Sequence, residues 1–246
     1  MKRISLITVY NNQQLLNEMI ASAKKQRNVD IEYVMIDNMT NKFSSAASAL
    51  NYGTDRATGD VFVFLHQDIE FEAENALERI YDFAIENKNV IFGAGGVTKR
   101  ARKEKTHIYS AMWEGVDRDG IEWKSQYVTL KEPLRCFTLD ECLIACHSSC
   151  MKYIRFDEET CDGWHLYATD ICLQAGLNDK LDVMVIPMDY VWHKSRGNVD
   201  EAYFNTQNKL AKKYRGKYKY IYTPNGFQYT NSIKRYFLNL YRNIRK

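Results

Sequence analysis

Three short apolar runs, Ile4 to Val9, Ile31 to Ile36 and Val61 to Leu65, each stop on polar residues and are separated by stretches of helical periodicity. No other feature constrains the fold as strongly. Between the first two runs, Leu15, Leu16, Met19, Ile20 and Ala23 recur at helical spacing up to Lys24-Lys25. A second helix is expected over residues 45–56, ahead of Gly59-Asp60. Ala73, Ala76, Leu77, Ile80, Ala84 and Ile85 mark the apolar face of a third. Strands alternating with helices at this spacing predict an α/β fold with a mostly parallel sheet and right-handed crossovers. In open sheets of this kind ligands bind beyond the carboxyl ends of the strands. Those ends carry Tyr10-Asn11, Asp37-Asn38 and His66-Gln67-Asp68.

At 246 residues with 45% hydrophobic content, the chain can bury a sizeable core. The basic start Met1-Lys2-Arg3 is followed by an apolar run that Asn11-Asn12 interrupts, with no small-residue cleavage site, which makes a poor signal peptide. No stretch approaches the roughly 18 continuous apolar residues of a spanning helix. A cytoplasmic location is the expectation. Six cysteines cluster between Cys136 and Cys172, in a chain too large to need a disulfide scaffold, so buried free thiols are expected. The spacing of Cys142, Cys146 and Cys150 matches none of the usual zinc pairs.

Beyond Gly93 the periodicity loosens. Gly93, Gly95 and Gly96 precede a basic run, 99–105, and aromatic and charged residues extend to Pro133. Leu139 to Ala145 reads as another strand, 163–175 as a loop leading into a helix, Val183 to Ile186 as a last strand, and 190–198 as a loop crossing back over the site. The chain divides at this level into a ligand-binding half (1–98), a second half (99–201) and an extension (202–246).

The ordered set of these features resembles glycosyltransferase family 2. The strand Ile4 to Val9, then Ile31 to Ile36 with Asp37-Asn38, Asn51-x-Gly53, Ala57-x-Gly59-Asp60 and the strand ending in His66-Gln67-Asp68 are similar to that family's nucleotide-binding half. Phe156-Asp157-Glu158, Trp164-His165-Leu166-Tyr167, Thr169-Asp170 and Cys172-Leu173 are similar to the segment that ends in its catalytic acidic pair. The resemblance spans about residues 3–195. It implies a GT-A-type, Rossmann-like sheet flanked by helices, and a nucleoside diphosphate sugar as donor.

What the resemblance implies can be weighed residue by residue. Departure of a nucleoside diphosphate builds negative charge that a divalent cation, Mn2+ or Mg2+, would stabilise. The family's Asp-x-Asp triplet is His66-Gln67-Asp68 in this chain. Asp68 keeps the metal position, with a helix N-cap as its competing role, while His66 could touch ribose, phosphate or metal, and Gln67 lies between them. His193, in Val191-Trp192-His193-Lys194-Ser195, resembles the late histidine that completes the metal site. Asp37 resembles the acceptor for the nucleotide base, with Thr8 or Tyr10 lining the same pocket, and a simple turn residue is the alternative. Asp170 matches the general base of inverting members, although Thr169 replaces the glutamate usually before it. Asp140, Glu141, Trp164 and His165 are candidates for contacting sugar hydroxyls.

Residues 202–246 hold eleven Lys or Arg and no acid, leaving 23 basic against 31 acidic residues before them. Ile233, Tyr236, Phe237, Leu240, Tyr241 and Ile244 fall on one helical face among Lys234, Arg235, Arg242 and Arg245, which predicts a basic amphipathic helix. It would pack on the domain or meet an anionic membrane face bearing a lipid-linked acceptor. No motif supports nucleic-acid binding. The expected activity is transfer of a sugar to a glycan or lipid-linked acceptor. A non-catalytic nucleotide-sugar or glycan-binding protein is the rival. A sugar nucleotidyltransferase would need a Gly-rich basic loop where this chain has Tyr10-Asn11-Asn12-Gln13.

Overall fold

The computed structural model describes residues 2–98, 108–115, 127–194 and 199–237. The basic run 99–105, residues 195–198 and the tail beyond 237 lie outside them.

The alternation seen in the sequence is realised as β1 (Arg3–Tyr10), α1 (Gln13–Ala23), β2 (Asp30–Asp37), α2 (Ala46–Thr54), β3 (Val61–Leu65), β4 (Ile69–Phe71), α3 (Ala76–Glu86) and β5 (Val90–Gly93). Polar residues start two of these helices. Asn12 caps α1 by accepting from the Gln14 and Leu15 N–H groups, and Ser45 caps α2 through Ser48. Asn75 stands at the N-cap of α3, so Asp68 is not the capping residue.

The second half contributes β6 (Gly95–Val97), β7 (Ile108–Ser110), β8 (Trp113–Glu114), β9 (Tyr127–Thr129), β10 (Leu134–Arg135), β11 (Thr138–Leu139), β12 (Leu143–His147), α4 (Tyr167–Ala175), β13 (Asp182–Val185) and β14 (Val191–His193). After it come α5 (Glu201–Lys213), β15 (Tyr220–Thr223) and β16 (Gly226–Tyr229).

The main sheet has seven strands in the order β10-β13-β5-β12-β3-β1-β2. Its β1–β2, β1–β3 and β5–β13 pairings are parallel, but β12 runs antiparallel to both β3 and β5, and β10 to β13. Five of the seven strands, β1, β2, β3, β5 and β13, therefore run one way and β12 and β10 oppose them, so the sheet is mostly parallel with two antiparallel strands. An antiparallel strand can be inserted without a helical crossover, and apolar periodicity carries no direction.

Helices cover both faces. Leu16, Met19, Leu77 and Ile80 of α1 and α3 pack with Ile4 and Leu6 on one side, while Ala47, Leu50, Ile171 and Leu173 of α2 and α4 pack with Ile7 on the other. Tyr203, Leu210 and Ala211 of α5, followed by Tyr214, belong to that second layer. The chain expected to begin an extension at 202 thus shares the main core. Residues 232–237 are helical, and Ile233, Tyr236 and Phe237 on it are 68, 65 and 62% exposed. The Leu240 to Ile244 part of the expected tail helix lies outside the described residues.

Two of the family-like motifs prove to hold the framework. Gly59 lies so near β1 that a Cβ there would stand 2.7 Å from the Ser5 backbone nitrogen, and its own N–H donates to Ser5 Oγ at 2.9 Å. Asn51 donates from Nδ2 to the Phe156 carbonyl at 2.9 Å and to Glu158 Oε1 at 2.7 Å, fastening α2 to the Phe156-Asp157-Glu158 segment.

Candidate active site

A cavity of about 310 Å3 opens at the carboxyl ends of β1, β2 and β3. Tyr10, Asn38, His66, Gln67 and Asp68 line it from those strand ends, Leu50 from α2, and Glu141, Trp164 and Tyr167 from the second half. Gln67 takes the backbone N–H groups of Asn11 and Asn12 on Oε1, at 3.0 and 2.8 Å, and donates to Asn11 Oδ1 at 2.7 Å. It thereby fixes the loop that leaves β1.

A small three-stranded sheet, β4-β14-β8, builds the polar end of the site. Its register sets His193 opposite Ile69 on one side and Glu114 on the other. Asp68, one residue before Ile69, is thereby brought next to His193, with Oδ1 3.6 Å from Nε2. Glu114 Oε1 lies 3.7 Å from His193 Nδ1. The rings of His66 and His193 stand 5.5 Å apart, and one ligand atom each of His66, Asp68 and His193 falls within 4.8 Å of the others. Residues 190–194, expected as a loop, thus carry a strand whose pairing positions the histidine.

The electrostatics keep both imidazoles near carboxylates. Burial pushes His66 down to about 4, and His193 beside it acts in the same direction against Asp68 and Asp140. Burial alone would lower His193 as well, but Glu114, Asp68 and Asp140 outweigh it and the net shift is upward. The Tyr167 hydroxyl donates to the Glu141 carbonyl at 3.3 Å and lies 3.0 Å from His66 Nε2.

One carboxylate and two imidazoles at this spacing fit a divalent cation. Nitrogen donors suit Mn2+ better than Mg2+, which favours an all-oxygen shell.

Other expected residues fall elsewhere. Asp170 is fully buried on the core side of α4 and does not line the cavity. Its Oδ1 accepts from Lys213 Nζ at 2.6 Å and the Tyr214 hydroxyl at 2.8 Å, and its Oδ2 from Gln174 at 2.7 Å. A carboxylate buried in this way, away from the cavity, is out of reach of an acceptor hydroxyl. The reason is helical phase: in a helix buried nearly all round, position alone does not say which wall a side chain meets. His165 turns outward to Asp200, 3.2 Å away, and packs its ring against Tyr203.

Thr8 is fully buried in β1 and is not part of the cavity lining. Asp37 sits at the exposed rim beside Tyr10, with Oδ1 accepting the Met39 N–H at 2.8 Å. Asp140 and Glu141, expected to begin a strand, occupy a bend between β11 and β12, where Asp140 Oδ1 accepts the Cys142 N–H at 3.0 Å. Glu114 and the Tyr167 hydroxyl went unassigned in the sequence. Tyr167 stood within a recognisable motif, whereas nothing in the sequence around Glu114 signals its place. All six cysteines are free, and His66, Asp68 and His193 form the one three-residue metal-type cluster among the described residues.

A Rossmann-like sheet with a ligand cavity over its first three strands and an Asp-His metal-type cluster at one end defines a glycosyltransferase of the GT-A kind. The chain belongs to the glycosyltransferase-like family, whose model matches residues 5–214. No curated protein matches the chain. Among solved structures, S. aureus TarS 1–349 in complex with UDP-GlcNAc is similar with TM-score 0.54 and 17% identity, over 88% of this chain and 67% of that one. GalNAc-T7 with UDP, GalNAc and Mn2+ is similar with TM-score 0.60 and 15% identity, over 87% of this chain and 48% of that one. The chain therefore spans about half the length of GalNAc-T7.

Proposed function

We propose that this protein transfers a sugar from a nucleoside diphosphate sugar to a glycan or lipid-linked acceptor in cell-surface polysaccharide or glycoconjugate synthesis, with inversion at the anomeric carbon. The observation that carries the reading is the meeting of the strand-end cavity with the His66–Asp68–His193 cluster. The nucleoside would lie over the β1 and β2 ends, with Tyr10 and Asn38 in the cavity wall and Asp37 at the rim offering an acceptor to an imino N–H. Thr8 would contribute from beneath only after rearrangement. Trp164, 43% exposed on the cavity wall, offers a flat face to a sugar ring.

His66, Asp68 and His193 would hold Mn2+ or Mg2+. A bound cation would neutralise charge on the departing diphosphate as a Lewis acid. The similar structures that hold UDP-GlcNAc, or UDP with Mn2+, support this donor class. No helix among the described residues is long and apolar enough to cross a membrane. We place the protein in the cytoplasm, peripheral to the inner membrane face through the exposed apolar residues near 233–237.

The sequestered Asp170 favours a second reading, a non-catalytic protein that only binds nucleotide sugars. One experiment separates the two. Purified protein with MnCl2 is screened against UDP-, GDP- and dTDP-sugars for a thermal shift and for released nucleoside diphosphate. A shift with turnover, both lost in Asp68→Ala, supports the transferase. A shift without turnover supports the binding protein, and no shift with any nucleotide rejects both.

A further inference from the structure

Once Asp170 is committed to the core, the transfer reaction lacks a base, and the cavity wall itself supplies a candidate. Of the residues lining the cavity, Asp68 and Glu141 are the two carboxylates, and Asp68 is turned toward His193. Glu141 stands at the bend between β11 and β12, which the Asx turn of Asp140 onto the Cys142 N–H holds in place. Its carboxyl faces the first turn of α4, where the backbone of Leu166, Tyr167 and Ala168 opposes the upward push of burial and of Asp140. Leu166 has left-handed geometry, φ 65°, so the chain turns sharply into the helix at this point. The other feature is an excess of unused bonding capacity: Glu141 Oε1 is buried and has no hydrogen-bond partner among the described residues. The Tyr167 bridge from the Glu141 carbonyl to His66 ties this wall to the cluster that would bind the donor diphosphate.

We infer that Glu141 is the general base of the transfer reaction. The inference rests on the donor-sugar reading above. The Glu141 carboxylate takes the proton of the acceptor hydroxyl as that oxygen forms its bond to the anomeric carbon. The bond from that carbon to the diphosphate oxygen breaks, its electron pair leaves with the nucleoside diphosphate, and the configuration inverts. Glu141 then returns the proton to solvent. When no acceptor is present, water takes the place of the hydroxyl and the product is free sugar.

The test uses full-length protein with MnCl2 and the nucleotide sugar that gives the largest thermal shift, with hydrolysis followed as released nucleoside diphosphate. Glu141→Gln keeps an acceptor oxygen toward α4 but cannot take a proton. Its expected hydrolysis is at least about 100-fold slower, the usual range for a lost general base, with the nucleotide-induced thermal shift unchanged. Sodium formate should restore part of the rate in Glu141→Ala, which loss of a merely structural contact would not allow. Hydrolysis by Glu141→Gln within about threefold of the parent overturns the inference, as does a rate loss in Glu141→Ala that formate leaves untouched. A parent protein that shifts with no nucleotide overturns the donor-sugar reading, and the assignment of a base falls with it.

Discussion

The Lys213 ammonium lies 2.6 Å from Oδ1 of Asp170 and 2.7 Å from Oδ2 of Asp157, so one cation from α5 joins the α4 helix to the loop before it. Asp170 is fully buried, and removing it leaves Lys213 paired with Asp157 alone and takes the carboxylate acceptor from the buried Tyr214 hydroxyl. Asp170→Ala is expected to cost about 1–3 kcal/mol, the range for leaving a buried donor without its acceptor. Urea denaturation would measure it. Because this carboxylate does not touch the cavity, the variant should hydrolyse donor normally at temperatures where it stays folded. A catalytic defect in folded Asp170→Ala would return the residue to the active site.

The same cluster sets an acid limit on stability. Burial alone would raise the Asp157 carboxyl, but the Lys213 ammonium and the Thr160 N–H and hydroxyl outweigh it and hold it well below the usual carboxylate range. For a group with a depressed folded value, the stabilisation is complete above the unfolded value of about 3.9 and is lost as pH falls toward the folded one. Lys213→Met removes the main partner. The stability difference between parent and variant should be constant from pH 5 to 7 and shrink steadily below about pH 4. A difference that grows on acidification would contradict this linkage.

The Tyr167 hydroxyl hydrogen-bonds the His66 ring at Nε2 from outside the metal-type cluster. Such outer partners typically contribute 10- to 100-fold to metal affinity. Tyr167→Phe removes one oxygen and keeps the ring that packs near Phe156, so the fold should survive. Mn2+ titration followed by calorimetry should show about tenfold weaker binding with an unchanged number of sites. Unaltered affinity would mean that His66 turns freely or does not ligate.

Gly59 tests how closely β1 and the segment entering β3 approach. A methyl group there meets the Ser5 backbone nitrogen and hydroxyl, both at 2.7 Å, and neither is the end of a flexible side chain. Gly59→Ala should therefore cost about 1–3 kcal/mol through backbone displacement, with the cavity residues unchanged. Thermal denaturation would reveal it as a lower midpoint. An unchanged midpoint would show that β1 yields without penalty.

How far the sequence led depends on which interactions are local. Strand runs such as Val61 to Leu65, buried on both faces, and caps such as Asn12 and Ser45 are written in consecutive residues, so β1, α1, β2, α2, β3 and α3 could be read directly, but the short β4 could not. The Asp68 and His193 candidates were found because each ends or lies on an apolar run. Their meeting was not visible, since it depends on the register of β14 against β4, 124 residues apart for the His193–Ile69 partners and neighbours only in space. The direction of β12 and the side of α4 that carries Asp170 were hidden for the same reason. Glu114 is reached only through pairing of β8 with β14.

Glu141 has consequences for pH that differ between stability and rate. Burial pushes its carboxyl up to about 8, with Asp140 adding to the effect and the α4 backbone opposing it. Asp140, Tyr167 and Cys161 are the titratable groups that interact with it, and the two last titrate well above neutrality. An acid with a raised folded value stabilises fully below its unfolded value and loses that contribution as pH rises through the folded one. Glu141→Gln should therefore gain on the parent in thermal midpoint between pH 5 and 9. The rate should move the opposite way, because only the ionised carboxylate accepts a proton: donor hydrolysis should climb about tenfold per pH unit below 8 and level off above it. A rate profile flat from pH 6 to 9, with no relative gain in the variant's midpoint, would show that Glu141 is ionised throughout. Both measurements read the same proton from opposite sides, since the burial that costs the fold stability at high pH is what makes the carboxylate basic enough to activate a hydroxyl.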